Sequence, residues 1–565
     1  MYSCISSGCP LGIDGMLVSV EADISLGLPS LSLVGYLSSS VREAGDRVRT
    51  ALKNSGYGLP PRRITVSLSP ADVRKDGSGF DLAIAVALLC CMEVLPAGSP
   101  GRGAGIDDTN VDGTNVDGMN TDSRAIDVET DNSATGSVEI EHPSPDNSHG
   151  GNFNDTIFLG ELGLDGTVRG IPGVLAVAHF AAGQGYRRLV VPACNAEEAA
   201  CIEGLSVYGV HDLQEVVDFL LGNASIEPAR VAETGRRRGR PLHDISEIRG
   251  QAMMKRGMEI AVAGFHNIIL TGAAGAGKSL MAKCLPGLMP EMSYDERLEL
   301  TKIYSVAGLL KNDGGLMDVR PFRSPHANVS AAALLGGGSV PKPGEVSLAN
   351  SGVLFLDEFP EFSRGVIESL RAPMEDQEVM ISRVKASYRF PARFMLVAAR
   401  NHCPCGYYPD RSRCRCTERQ ITEYRNKISH PIMDRIDIRI EVRPVRMEEL
   451  LGTPSEETSD VVRARIEEAR ERQLHRYKDE AFRFNSAVPQ KKLQEYISLG
   501  KEEMDLLRKV YEQGELSARG YFKVLRLART IADLAGHEEI RTEDLTEALF
   551  FRSVGMEEEG GRSDG

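Results

Sequence analysis

Residues 272–279 read GAAGAGKS and fit G-x-x-x-x-G-K-[ST], a pattern that wraps main chain around the phosphates of a nucleotide. The glycines let the N–H groups of Gly272, Ala273, Ala274, Gly275, Ala276 and Gly277 close on phosphate oxygens. The helix entered through Lys278, Ser279 and Leu280 adds its positive N-terminus. Lys278 is placed to reach the β- and γ-phosphates, and Ser279 to ligate Mg²⁺. An apolar strand precedes the loop and a helical run follows it, the context that the motif requires.

Three later stretches supply the rest of such a site. In GVLFLDE, Val353 to Leu356 read as a buried parallel strand ending in Asp357 and Glu358. Ligands of open α/β sheets bind beyond the carboxyl ends of strands. Asp357 is therefore expected to hold Mg²⁺, directly or through water, and Glu358 to polarise the attacking water. RFMLVAARN ends in Asn401, whose amide would bond the γ-phosphate or the lytic water. HPIMDRIDIRIEV places Arg435 just before a strand, where an arginine brought to a neighbour's γ-phosphate would stabilise transition-state charge. ELSARGYFKVLRLART puts Arg519 at a helix start within reach of the nucleotide. Each has a plain alternative: a strand entering solvent, a loop-start Asn, or an ion pair of Arg435 with Asp434 or Asp437. Their order after the phosphate loop favours the chemical reading.

A second constellation is Cys403, Cys405, Cys414 and Cys416, four of the 11 cysteines, spaced C-x-C-x8-C-x-C. No secretory pattern opens the chain, and no run reaches the roughly eighteen apolar residues of a membrane span. A cytoplasmic chain with reduced thiols is expected, which disfavours disulfides. Four thiolates at short spacing suit a closed tetrahedral zinc site of structural kind; reduced thiols without metal are the alternative.

These residues need a scaffold. A chain of 565 residues divides into about two to four domains. The net charge of −15 argues against a chain coated in positive charge, but not against a local basic patch. Residues 1–223 read as one N-terminal domain, in which residues 1 to about 95 alternate strand-like and helix-like runs. They include one amphipathic helix in VREAGDRVRTALKNSGYG, with Val41, Val48, Ala51 and Leu52 on one face, and a buried helix in FDLAIAVALLCC. Residues 96–155 are rich in Gly, Asp, Asn, Ser and Thr and read as a disordered acidic insertion. Within it Asp108, Asn110, Asp112 and Gly113 look like the start of a calcium loop, but Met119 stands where the loop needs Glu. Residues 224–243 read as a linker, 244–445 as an α/β nucleotide domain, 446–555 as a helical domain and 556–565 as a tail.

Taken together, TGAAGAGKS, GVLFLDEFPEF, FMLVAARNHCPCGYYPD, MDRIDI and LSARGY resemble the magnesium-chelatase-like AAA+ ATPases of the YifB/ComM type. So do the N-terminal SLVGYLSSSVREAGDRVRTALKNSGY and RRITVSLSPADVRKDGSGFDLAIA. The resemblance implies an α/β fold with a Lon-protease/ribosomal-S5-like N-terminal domain, a central AAA+ P-loop domain and a C-terminal helical lid. It implies ATP and Mg²⁺, a homo-hexamer with sites at subunit interfaces, and a DNA helicase that promotes branch migration in recombination or DNA uptake. It makes Asn401 sensor 1, Arg435 the arginine finger and Arg519 the sensor-2 arginine, with Arg425 and Arg526 as alternatives for the last two. Where family members read MNPCPCG this chain has RNHCPCG, so Arg400 and His402 are departures.

Two stretches fit DNA movement. RPFRSPHANVSAAALLGGGSVPKPGEVSLAN resembles the family's helix-2 insertion, with Phe322, Arg323 and His326 as weaker candidates. VMISRVKASYRFPARF reads as a hairpin whose Arg383 and Lys385 would grip phosphates. Two rival classes remain. One is a subunit that remodels a protein partner, as in magnesium chelatase. The other is a Lon-like protease, but Gly79, not Ser78, aligns with the nucleophile and Leu175 stands where the lysine belongs.

Overall fold

The computed structural model describes residues 1–96, 153–231, 243–310, 315–338, 340–383, 386–445, 447–451, 457–513 and 516–553. Asp108, Asn110, Asp112, Gly113, Met119 and Lys385, most of the linker and the tail lie outside them.

The N-terminal unit is built on a seven-stranded sheet. In spatial order its strands are Ser30–Val34, Arg63–Ser69, Asp14–Ser25, Tyr2–Leu11, Thr156–Phe158, Arg188–Pro192 and Ser206–Val210. Tyr2–Leu11 pairs antiparallel with Asp14–Ser25 and parallel with Thr156–Phe158, so chain from both sides of the insertion closes one sheet. Beyond Asp81, which pairs with Arg47, the helix Asp81–Cys91 is apolar all round, and every residue of it is buried. The single helix expected around residues 41–54 is two, Ser39–Arg42 and Ala44–Asn54. They break at Glu43, and Val41, Val48, Ala51 and Leu52 all reach the core.

The central unit holds a parallel five-stranded sheet. Its strands are β1 (Ile268–Gly272), β2 (Phe322–Arg323), β3 (Val353–Leu356), β4 (Met395–Arg400) and β5 (Ile438–Val442), in the order β2-β3-β4-β1-β5. Side chains alternate between two cores. Ile268, Leu270, Val353, Phe355, Val397 and Ile440 enter one, while Ile269, Leu354, Leu356, Leu396 and Ala398 enter the other. Of the helices around it, α1 (Lys278–Leu288) follows β1 and α2 (Tyr294–Ala307) follows α1. α3 (Glu418–Arg425) leads towards β5. The C-terminal unit is helical, with α4 (Ala518–Ala535) its longest member beside Ser459–Arg476. Val462, Ile466, Val524 and Phe551 share the core that covers one face of the central sheet. No helix among the described residues is long and apolar enough to cross a membrane.

Candidate active site

β1 runs into the phosphate loop at Gly272, and Gly275 and Gly277 take left-handed φ of 79° and 91° that residues with a Cβ avoid. Lys278 opens α1 and is almost buried. Its ammonium donates to the carbonyls of Gly272 and Ala273, each at 2.8 Å, and to Asn401 Oδ1 at 3.0 Å. Burial lowers its pKa, and Asp357 and Glu358 oppose that shift. The Ser279 hydroxyl donates to Asp357 Oδ2 at 2.6 Å, while Asp357 Oδ1 accepts the Glu358 N–H at 2.9 Å. Glu358 is exposed and left-handed, with φ of 49°. Parallel register explains the convergence. Leu356 pairs with Ala398 and Thr271 with Arg400, so the loop, Asp357, Glu358 and Asn401 all emerge from one edge of the sheet. A hydroxyl beside a carboxylate is a donor set that fits Mg²⁺.

Sequence reading missed the pocket next door. Ile245, Gly250, Gln251, Lys255, Val462 and Arg465 are among the residues lining a 560 Å³ cavity. Gln251 Nε2 donates to the Arg443 carbonyl at 2.6 Å, one residue beyond Val442, the partner of Gly272. After the linker Gly250 and Gln251 are both left-handed, with φ of 60° and 56°, a conformation that nothing in the sequence signals for Gln251.

The arginines lie elsewhere. Arg435 precedes β5, and its carbonyl accepts Asn267 Nδ2 at 3.2 Å just ahead of β1. It therefore occupies the amino edge of the sheet, about 16 Å of strand from the loop at 3.3 Å per residue. Arg435 donates to the Pro431 carbonyl at 2.8 Å and pairs with Glu375. Arg435, Arg519, Lys523 and Arg526 line one 470 Å³ groove, which no phosphate-loop residue lines. Asp437 fixes this arrangement: its carboxylate pairs with Lys523 of α4, accepts the Asn267 N–H at 3.0 Å and lies 3.6 Å from His266. Against the burial that would raise it, Lys523 and His266 hold the Asp437 carboxyl far below its usual range. Arg425, the alternative to Arg435, lies over the Tyr408 ring at 5.5 Å.

Three family descriptions match the chain. "Magnesium chelatase, subunit ChlI" covers residues 244–450 and its C-terminal counterpart 456–552, while "Subunit ChlI of Mg-chelatase" covers 20–99 and 145–195. The competence protein ComM of Haemophilus influenzae is 36% identical over 556 residues, 97% of each chain. YifB of Escherichia coli strain K12, described as uncharacterized, is 35% identical over 98% of this chain and 97% of its own. The chain belongs to the magnesium-chelatase-like YifB/ComM family. By contrast, the magnesium-chelatase 38 kDa subunit of Rhodobacter capsulatus is 26% identical over only 29% of this chain. The matched magnesium-chelatase domains are those of AAA+ ATPases, and the mixed α/β fold with a helical C-terminal unit agrees with them.

In this YifB/ComM chain Arg400, where relatives were expected to carry Met, donates to Thr271 Oγ1 at 3.0 Å and ties β4 to β1. The hairpin forms from Glu378–Arg383 and Ala386–Pro391, with Arg383 exposed and donating to the Gly338 carbonyl at 2.9 Å. Arg323 is committed to Glu345 through two hydrogen bonds of 2.7 Å, and Phe322 stacks on Phe355 in the sheet edge, so neither offers a free grip. His326 is exposed. In the N-terminal unit Ser78 donates to Glu161, Gly79 packs on Ile171 and Leu175 is fully buried.

Cys403, Cys405, Cys414 and Cys416 come together, with their sulfurs all within 4.8 Å of one another. Cys403 Sγ is 3.3 Å from Cys405 Sγ and 3.8 Å from Cys414 Sγ, and Cys405 Sγ is 3.6 Å from Cys414 Sγ. A tetrahedron of Zn–S bonds of about 2.3 Å has sulfur edges of about 3.8 Å, so the donor set fits zinc. The Tyr407 N–H is the main influence pushing the Cys405 thiol down to about 6.

Proposed function

We propose that this chain is an Mg²⁺-dependent ATPase whose homo-hexameric ring moves DNA strands, promoting branch migration in recombination or DNA uptake. The loop 272–279 holds the phosphates, with Lys278 on the β- and γ-oxygens. The cavity at Gln251 takes the nucleoside, since its volume lies in the usual ligand range of about 300–1,000 Å³. Ser279 and Asp357 would hold Mg²⁺, which would supply positive charge against that of the phosphates. Glu358 orients the attacking water and Asn401 fixes it against the γ-phosphate. The observation that carries the ring is the placement of Arg435 at the sheet edge opposite Lys278. A guanidinium there can serve only a neighbour's nucleotide, and Arg519 in the same groove faces the same way.

DNA as the moved partner is supported by end-to-end similarity to a competence protein and by the exposed Arg383 on its hairpin. The rival, a protein-remodelling subunit of the chelatase type, draws on the magnesium-chelatase family models, but the Rhodobacter capsulatus subunit matches less than a third of the chain. The Cys₄ cluster is a closed structural zinc site in a cytoplasmic enzyme. The deciding experiment is unwinding of a branched DNA substrate with ATP by the purified protein. Strand exchange with ATP turnover stimulated by DNA is expected; hydrolysis without DNA binding or movement would sink the DNA assignment and leave the ATPase.

A further inference from the structure

The turn Cys403–Gly406 belongs to two structures at once. Its cysteines are half of the sulfur cluster, and the Gly406 N–H closes the turn on the Cys403 carbonyl at 3.1 Å. The Gly406 carbonyl accepts the N–H of Ala274, inside the phosphate loop, at 3.2 Å. Gly406 has φ of +80°, and a Cβ added there would lie 3.1 Å from Ala274 Cβ and 3.7 Å from Asn401 Nδ2. The turn thus fills the gap between the phosphate loop and the carboxamide that Lys278 also contacts.

Among the described residues the apolar core beneath this turn is small. It is a separate cluster of Cys403, Cys414 and Ile421, with Tyr408 and Cys416 at its margin, disconnected from both cores of the sheet. A segment with so small a core takes its order from cross-links. Here the cross-links are metal–sulfur bonds, whose binding free energy is also ordering free energy.

We propose that the four-cysteine site, loaded with a thiophilic divalent ion such as zinc, holds the wall of the nucleotide site in shape. Gly406 is a positioning residue that sets Ala274 and Asn401 in place, so metal occupancy governs nucleotide affinity. This rests on the reading of residues 272–279 as the phosphate loop.

The test uses the full chain in four forms, each assayed for zinc by atomic absorption and titrated with a fluorescent ATP analogue. Wild type contains equimolar zinc and binds the analogue. Cys414→Ser loses the metal and binds roughly tenfold more weakly, the lower end of the loss expected when the support around a metal site is removed. Gly406→Ala keeps its zinc yet weakens binding to a similar degree, which separates the contact from the metal should Cys414→Ser fail to fold. Wild-type affinity in Gly406→Ala, or in metal-free Cys414→Ser, overturns the inference alone. So does a wild type that carries no metal and binds the analogue normally. A zinc-loaded wild type that fails to bind the analogue, with Lys278→Ala indistinguishable from it, overturns the phosphate-loop reading as well.

Discussion

The Asn267 side chain donates to the carbonyl of Arg435 at 3.2 Å, and that bond fixes Arg435 beside the start of β1, while Lys278 lies beyond its end. In the proposed ring Lys278 would serve its own chain's nucleotide and Arg435 a neighbour's. Arg435→Ala is expected to bind nucleotide normally and to lose about 10³–10⁵ in turnover, the range measured for arginine fingers. Lys278→Ala is expected to lose turnover while keeping its fold. Mixing the two inactive proteins should restore activity at about a quarter of the sites, because random assembly pairs an intact loop with an intact finger that often. Phosphate release from the mixture measures this; no recovery after verified subunit exchange would rule out sites shared between protomers.

The wall beside the phosphate loop should act on binding rather than chemistry. Gln251→Ala removes the hydrogen bond to the Arg443 carbonyl, worth about 1 kcal/mol of local order in the pocket wall. The expected result is a raised KM for ATP with kcat unchanged. A fall in kcat at unchanged KM would place the nucleoside elsewhere.

Lys523→Met leaves the Asp437 carboxylate buried without its cation, and should destabilise the chain by about 3 kcal/mol. The double variant with Asp437→Asn should recover much of that. The pH dependence has a definite sign. The folded-state pKa of Asp437 lies below its ordinary value of 3.8, so its stabilisation is full above that value and fades as pH falls further. Urea unfolding followed by circular dichroism should show wild type well above Asp437→Asn at about pH 6, with the gap narrowing below about pH 3.

Arg383→Glu at the hairpin should weaken DNA binding without sequence preference and reduce the slope of log affinity against log salt by about 1. An unchanged slope would remove the hairpin from the DNA path.

What the sequence disclosed follows from the range of the interactions. Asp357 and Asn401 each follow an apolar strand, and Lys278 and Ser279 open the helix after one, so period and spacing pointed to them before any contact was known. The hairpin, the buried helix Asp81–Cys91 and the cysteine cluster were legible for the same reason. Contacts between distant segments were not. Asp437 and Lys523 are 86 residues apart, and nothing local in either strand or helix names the other. The bond from Ala274 to Gly406 joins two backbone groups, which leave no side-chain signature. Arg323 read as a DNA contact because its strand is two residues long and its partner Glu345 lies across a loop. The groove shared by Arg519 and Arg435 was equally hidden, since it depends on how the helical unit docks.

The buried pairing of Asp437 with Lys523 bolts α4, which carries Arg519, to the turn that carries Arg435. Swinging the helices away from the sheet would strand a desolvated anion, so the turn must travel with them. In a ring of such chains each subunit presents both guanidiniums on one stiff wedge. In the proposed ring, a movement of the helices in one member would then be felt as leverage by the next.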